Sequence, residues 1–108
     1  MVIIETSIFT KRIIEVMPDD SYRELQNTLI AYPETGKIIR GSGGIRKVRW
    51  GLGGQGKQGG VRVIYYRAVS TNQIFMLMVY AKNEQSNLTK EQLSILKKLV
   101  ESEFKNEQ

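Results

Sequence analysis

Ile74-Phe75-Met76-Leu77-Met78-Val79-Tyr80-Ala81 is an unbroken apolar run with no polar residue interleaved. Its length suits a strand, and it falls far short of the roughly 20 residues that a membrane-spanning helix requires. A half-exposed strand alternates apolar and polar side chains, so a strand without alternation is one covered on both faces. The run therefore predicts the central strand of a small sheet, and the rest of the chain has to supply neighbours for it.

Those neighbours can be read on either side. Val2-Ile3-Ile4 is a short apolar run and a candidate first strand. Phe9, Ile13 and Val16 or Met17 recur at helical spacing until Pro18 ends the pattern. Asp19-Asp20-Ser21 offers N-cap chemistry, and Ser21 with Glu24 has the spacing of a capping box. Tyr22, Leu25 and Leu29 then share a helical face, which Pro33 terminates. All ten glycines lie between Gly36 and Gly60. Within and after that zone, residues 44–50 and 61–69 read as strands, residues 51–60 as a long glycine-rich connection, and Ser70-Thr71-Asn72-Gln73 as a turn. Thr89 with Gln92 forms another capping box, and Leu93, Leu96, Val100 and Phe104 make residues 89–105 an amphipathic helix. The expected class is α+β: a small antiparallel meander with an N-terminal strand, two N-terminal helices and a C-terminal helix, the helices packed on one face. With 108 residues and neither repeat nor linker, residues 1–108 form a single domain.

Charge separates the chain into blocks. Residues 1–34 carry six acids and three bases; residues 84–108 carry five acids and four bases. Between them, residues 35–83 carry nine bases and no acid. Ordinary solubilising surface mixes both signs, so a stretch of this length without a carboxylate predicts a surface for a polyanion.

Histidine and cysteine are both absent. That excludes Ser-His and Cys-His nucleophile pairs, thiolate and imidazole metal sites, and disulfides. No metal or other cofactor is implied by the residues, and any catalysis falls to Lys, Arg, Tyr, Asp, Glu or backbone groups. The early Glu5 interrupts any secretory apolar core, so a cytoplasmic location is expected, with no membrane partner. Two glycine motifs are decoys. Gly54-Gln55-Gly56-Lys57-Gln58-Gly59 matches a dinucleotide fingerprint, but a strand-like segment follows where a helix is needed. Residues 51–58 approach a phosphate-binding loop, but Gln58 stands in place of the magnesium-binding hydroxyl.

Strand alternation sorts the basic residues. Lys47 and Arg49 share a face, with Arg46, Val48 and Trp50 opposite. Arg62, Ile64 and Tyr66 share a face of the following strand, and Met76, Met78, Tyr80 and Lys82 a face of the last. A meander brings Lys47, Arg49, Arg62 and Lys82 to one surface, with Lys57 arching over from the loop. Such a cluster suits phosphoryl transfer in RNA, where the 2′-hydroxyl attacks its own 3′-phosphate and positioned cations neutralise the phosphorane. A lysine among cations titrates below its usual value and can serve as acid or base. Nearby aromatic rings can stack unpaired bases. Against this, Tyr65, Tyr66 and Trp50 also suit packing, and Glu84 suits an ordinary loop.

At these residues the chain resembles the RelE/HigB superfamily of type II toxin–antitoxin toxins, in particular its HigB-like branch. The segments that carry the resemblance are Gly41-Ser42-Gly43-Gly44-Ile45-Arg46-Lys47-Val48-Arg49, Gly56-Lys57-Gln58-Gly59-Gly60-Val61-Arg62-Val63-Ile64-Tyr65-Tyr66 and Tyr80-Ala81-Lys82-Asn83-Glu84. It implies an endoribonuclease that cuts mRNA in the A site of the translating ribosome and that is neutralised by a cognate antitoxin. The toxin–antitoxin complex would bind operator DNA. By the same resemblance, Lys47, Arg49, Lys57, Arg62 and Lys82 are the catalytic candidates, Arg62 taking the scissile phosphate. Arg46, Tyr66, Tyr80 and Asn83 are the RNA-binding candidates. Asn83 stands where an arginine is expected, no tyrosine follows Glu84, and the histidines of some HigB members are missing. The general acid and base therefore stay open. Two other functions fit the same residues: a ParE-like gyrase inhibitor, and a basic nucleic-acid-binding module without catalysis.

Overall fold

The computed structural model describes residues 1–51 and 60–105. In chain order the elements are β1 (Val2–Glu5), α1 (Ser7–Val16), α2 (Asp19–Ala31), β2 (Lys37–Ile38), β3 (Ile45–Trp50), β4 (Val61–Ala68), β5 (Gln73–Ala81) and α3 (Lys90–Val100), which runs into a wider π-type turn, Glu101–Lys105. The strands form one sheet in the order β1-β5-β4-β3-β2. From β2 to β5 every pairing is antiparallel, whereas β1 lies parallel to β5, with Val2 opposite Gln73 and Glu5 opposite Met76. The expected α+β class holds, with a mixed sheet. β1 and β5 are joined through residues 6–72, with two helices and three strands between them, so no short turn forces them to be antiparallel. β2 was not foreseen, because two residues carry no periodicity.

The helices do not share one face, contrary to expectation. Phe9 and Ile13 of α1, Met17, and Leu25 and Leu29 of α2 pack against Val48, Val61, Val63, Tyr65, Ile74, Met76 and Val79. Leu96 and Val100 of α3 pack with Ile45, Ile64, Phe75, Leu77 and Tyr80 on the other side. The physical reason lies in β5 itself: an apolar strand without alternation needs cover on both faces, and α3 supplies the second.

A bulge refines the face assignment. Ile64 pairs with Met78 and Tyr65 with Met76, so Leu77 has no residue opposite it. The extra residue flips the alternation. Met76 joins the α1–α2 core while Met78 and Tyr80 join the α3 core, so the expected shared face of Met76, Met78 and Tyr80 is broken.

Thr6 caps α1 by accepting from the Phe9 N–H at 3.0 Å, and its hydroxyl donates to the Leu77 carbonyl at 2.9 Å, tying helix to sheet. α2 begins earlier than its expected capping box. Pro18 occupies the N-cap without a side-chain bond, and Asp19 and Asp20 sit in the first turn, where carboxylates favour the helix dipole. Ser21 is thereby released to accept from Trp50 Nε1 at 3.2 Å, a structural use of the tryptophan. The Thr89–Gln92 capping box is formed as expected.

Tyr65 anchors the path from α2 into β2. Its ring is fully buried; its hydroxyl donates to the Pro33 carbonyl at 2.8 Å and accepts from the Gly36 N–H at 2.9 Å. A Cβ on Gly36 would meet the Tyr65 ring at 2.9 Å and the Lys47 carbonyl oxygen at 3.0 Å, so only glycine lets β2 approach this closely. The β2–β3 turn is held by the buried Ser42, whose hydroxyl donates to the Ile39 carbonyl at 2.6 Å and accepts from the Ile45 N–H at 2.9 Å. Gly44 takes φ +107 there, a value that side-chain-bearing residues rarely adopt.

Candidate nucleic-acid interface

Register decides which cations meet. Lys37 on β2 lies opposite Lys47 on β3, Arg49 on β3 opposite Arg62 on β4, and Arg62 opposite Tyr80 on β5. Lys47 and Arg49 alternate with the buried Ile45 along β3, so this row shares the face that carries α3, beyond the helix's apolar contacts. Thr35, Lys37, Lys47, Arg49 and Arg62, with Val48, line a depression of about 430 Å³.

Arg62 is the unusual member. It is only 9% exposed, and its Nη1 has no hydrogen-bond partner among the described residues. A buried guanidinium normally finds a carboxylate or carbonyl, because desolvating a charge without compensation is costly. Arg62 instead faces a depression lined by other cations. Tyr80 beside it is 2% exposed, and its hydroxyl is likewise unpartnered among the described residues. Burial raises the Tyr80 pKa, and the Arg62 charge opposes that rise. The phenol is therefore held neutral, as a donor, next to the guanidinium.

The neighbouring cations are nearly free of acids. Among the described residues, no ion pair involves Lys37, Lys47, Arg49 or Arg62. Lys47 Nζ donates to Asn87 Oδ1 at 3.3 Å, which uses one of the three ammonium hydrogens and steadies the side chain. Glu84, the first acid after the acid-free block, is engaged elsewhere: it pairs with Arg12 of α1 and accepts from the Ala81 N–H at 2.9 Å. It is a clamp between α1 and the end of β5.

The other sequence candidates scatter. Lys82 and Asn83 are exposed in the turn after β5. The Lys82 N–H bonds the Gly60 carbonyl at 3.2 Å, which places it at the Arg62 end of the sheet. Arg46 lies on the opposite face and donates to the Gly36 carbonyl at 2.7 Å and to Glu34 at 3.5 Å. Tyr66 sits four residues along β4 from Arg62, about 13 Å at ~3.3 Å per residue. There it packs in the α3 core, 5.5 Å from the Phe104 ring. Tyr80 adjoins Arg62 but is too buried to offer a stacking surface. Lys57 lies outside the described residues. Lys37 is the residue that sequence reading missed. It belongs to the acid-free block, but with β2 unrecognised nothing assigned it to a face.

A family model matches this architecture. Residues 21–108, from α2 to the C-terminus and including the whole cationic row, match the model of the RelE toxin of the RelE/RelB toxin–antitoxin system. The chain belongs to the RelE toxin family. It is thus the toxin member of a toxin–antitoxin pair, with an antitoxin as partner. The match begins within α2, so β1 and α1 lie outside it, although α1 contributes Arg12 to the Glu84 clamp. In this RelE-family chain no helix among the described residues is long and apolar enough to cross a membrane.

Proposed function

We propose that this RelE-family toxin is an endoribonuclease of the HigB-like branch that cuts mRNA on the translating ribosome. The observation that carries the reading is Arg62: a nine-tenths buried guanidinium with an unpartnered Nη1, facing a depression it shares with Lys47 and Arg49. A phosphate seated there would satisfy Arg62 and exchange a buried charge for a paired one. The RNA supplies its own nucleophile. The 2′-oxygen bonds to the adjacent phosphorus, the bond from phosphorus to the 5′-oxygen breaks, the 2′-hydroxyl loses its proton and the departing 5′-oxygen gains one. Arg62, Arg49 and Lys47 neutralise the charge that grows on the phosphorane oxygens, and Tyr80 stays protonated as a donor beside Arg62. Lys82 extends the positive surface toward flanking nucleotides, the neutral Asn83 beside it offers an amide for hydrogen bonding, and Lys57 lies outside the described residues.

The HigB-like assignment rests on the glycine-flanked segments around Lys47 and Arg62. The antitoxin would restrain the toxin until release, the pair together would bind operator DNA, and the target, mRNA in the ribosomal A site, places the action in the cytoplasm.

The test is mRNA cleavage mapping after brief induction in cells, comparing wild type with Arg62→Ala. Cuts confined to translated regions, and lost in the folded variant, are expected. Growth arrest without cuts would overturn the nuclease reading and leave gyrase poisoning, seen as DNA-damage signalling, or binding without catalysis.

A further inference from the structure

We infer that Lys37 is a second phosphate contact, holding the phosphate next to the scissile one so that RNA is gripped across the sheet from β4 to β2. The inference rests on the nuclease reading above and adds a subsite to it. Lys37 lines the same depression as Arg62, entering from the opposite rim. β3 lies between their strands, and Lys37 faces Lys47 whereas Arg62 faces Arg49, so two strand spacings of ~4.8 Å and a two-residue offset of ~3.3 Å per residue separate their backbones by about 12 Å. That span suits two successive phosphates better than two groups on one phosphate.

The charge arrangement points the same way. Lys37 stands directly opposite Lys47, and neither forms an ion pair among the described residues. Like charges directly opposite in a ladder weaken it, and β2 has only two residues with which to hold on. The fold tolerates this because Gly36, locked by the Tyr65 hydroxyl, fixes the strand from behind. A polyanion threaded between the lysines turns the repulsion into attraction. Thr35 shapes the rim without donating to the ligand, since its hydroxyl hydrogen goes to the Tyr32 carbonyl at 2.6 Å. Specificity for this subsite therefore falls on the Lys37 ammonium.

The experiment titrates purified protein with 2′-O-methylated oligouridylates, which cannot be cleaved: a dimer with one internucleotide phosphate and a hexamer with five. Wild type, Lys37→Ala, Lys37→Arg, Lys37→Glu and Arg62→Ala are compared over a range of salt, with thermal melts as the folding check. Lys37→Ala is expected to weaken hexamer binding on the order of tenfold and to lower the log–log salt slope by about 0.7, the value of one single-strand phosphate contact. Dimer binding should be unchanged, Lys37→Arg should restore the slope, and Lys37→Glu should weaken binding further. A Lys37→Ala protein that binds the hexamer like wild type while Arg62→Ala does not would overturn this subsite alone. Equal binding by wild type and Arg62→Ala would overturn the nuclease site as well. Loss of dimer and hexamer binding together in Lys37→Ala would also overturn the subsite, placing Lys37 at the first phosphate instead.

Discussion

The two faces of the sheet treat charge in opposite ways. On the α1–α2 face most polar groups are matched: Arg46 reaches the Gly36 carbonyl and Glu34, Trp50 finds Ser21, and the Tyr65 hydroxyl both donates and accepts, while Arg67 Nε, opposite Ile74, is the exception, buried without a partner among the described residues. On the α3 face the helix covers one end of the sheet, and the other end keeps four cations, one of them buried with an orphaned nitrogen. The same strands make both faces, so composition does not explain the difference. The faces differ in setting: one orphaned nitrogen lies against the core on the first, whereas on the second an orphaned guanidinium shares an open depression with three further cations, an arrangement that a polyanion would satisfy.

The largest effect that would test this contrast is on cleavage. Arg62→Ala is expected to lower the rate on programmed ribosomes on the order of 10²–10³-fold, as the loss of one preorganised donor to a developing oxyanion does. Arg46→Ala, which removes the same charge from the other face of the neighbouring strand, should stay within a few-fold. Equal losses would mean that the two faces are not functionally distinct. Next in size is packing. Leu25 and Leu29 are fully buried on the closed face, so truncation of either to alanine should cost about 2–5 kcal/mol, read by denaturant unfolding. Leu96, at 7% exposure on the α3 face, should fall at the low end of that range.

A smaller pair of substitutions sharpens the comparison, because it makes one chemical change on each face. Tyr65→Phe strands the Gly36 N–H and the Pro33 carbonyl, and should cost about 1–3 kcal/mol. Tyr80→Phe removes a hydroxyl without a partner among the described residues, so stability should hold or rise while cleavage slows. A Tyr80→Phe protein that is destabilised as much as Tyr65→Phe would show the Tyr80 hydroxyl to be structural.

Much of this contrast is visible in the residues. The unalternating run of β5 demands two covering layers, the acid-free block supplies the cations of the depression, and alternation alone puts Lys47 and Arg49 on one face and Arg46 on the other. Three features escape such reading for physical reasons. The bulge at Leu77 shifts alternation by one residue with no glycine or polar residue to mark it. β2 is too short for a period, so Lys37 could be placed only through the buried contact between Gly36 and Tyr65. The Glu84–Arg12 pair joins residues 72 positions apart, a separation at which local pattern says nothing.

The smallest effect concerns alkaline stability, and here the faces should act together. Tyr22, Tyr65 and Tyr80 all have pKa values raised from the ordinary 10.0, chiefly by burial; for Tyr22 the bond it donates to Glu5 and the repulsion of that carboxylate add to the rise. A group that binds its proton more tightly when folded contributes stability that is fully present below the unfolded pKa. That stability is lost as pH climbs from about 10 toward the folded value. Stability should therefore show no tyrosine dependence between pH 7 and 9 and should decline above 10. Lysines also deprotonate in that range, so the informative quantity is the difference between variants rather than the decline itself. Tyr22→Phe removes one raised phenol, and its stability relative to wild type should improve steadily with pH above 10 in denaturant melts. A constant difference from pH 9 to 11 would mean that the Tyr22 hydroxyl titrates as it does in the unfolded chain, which contradicts its half-buried place against Glu5.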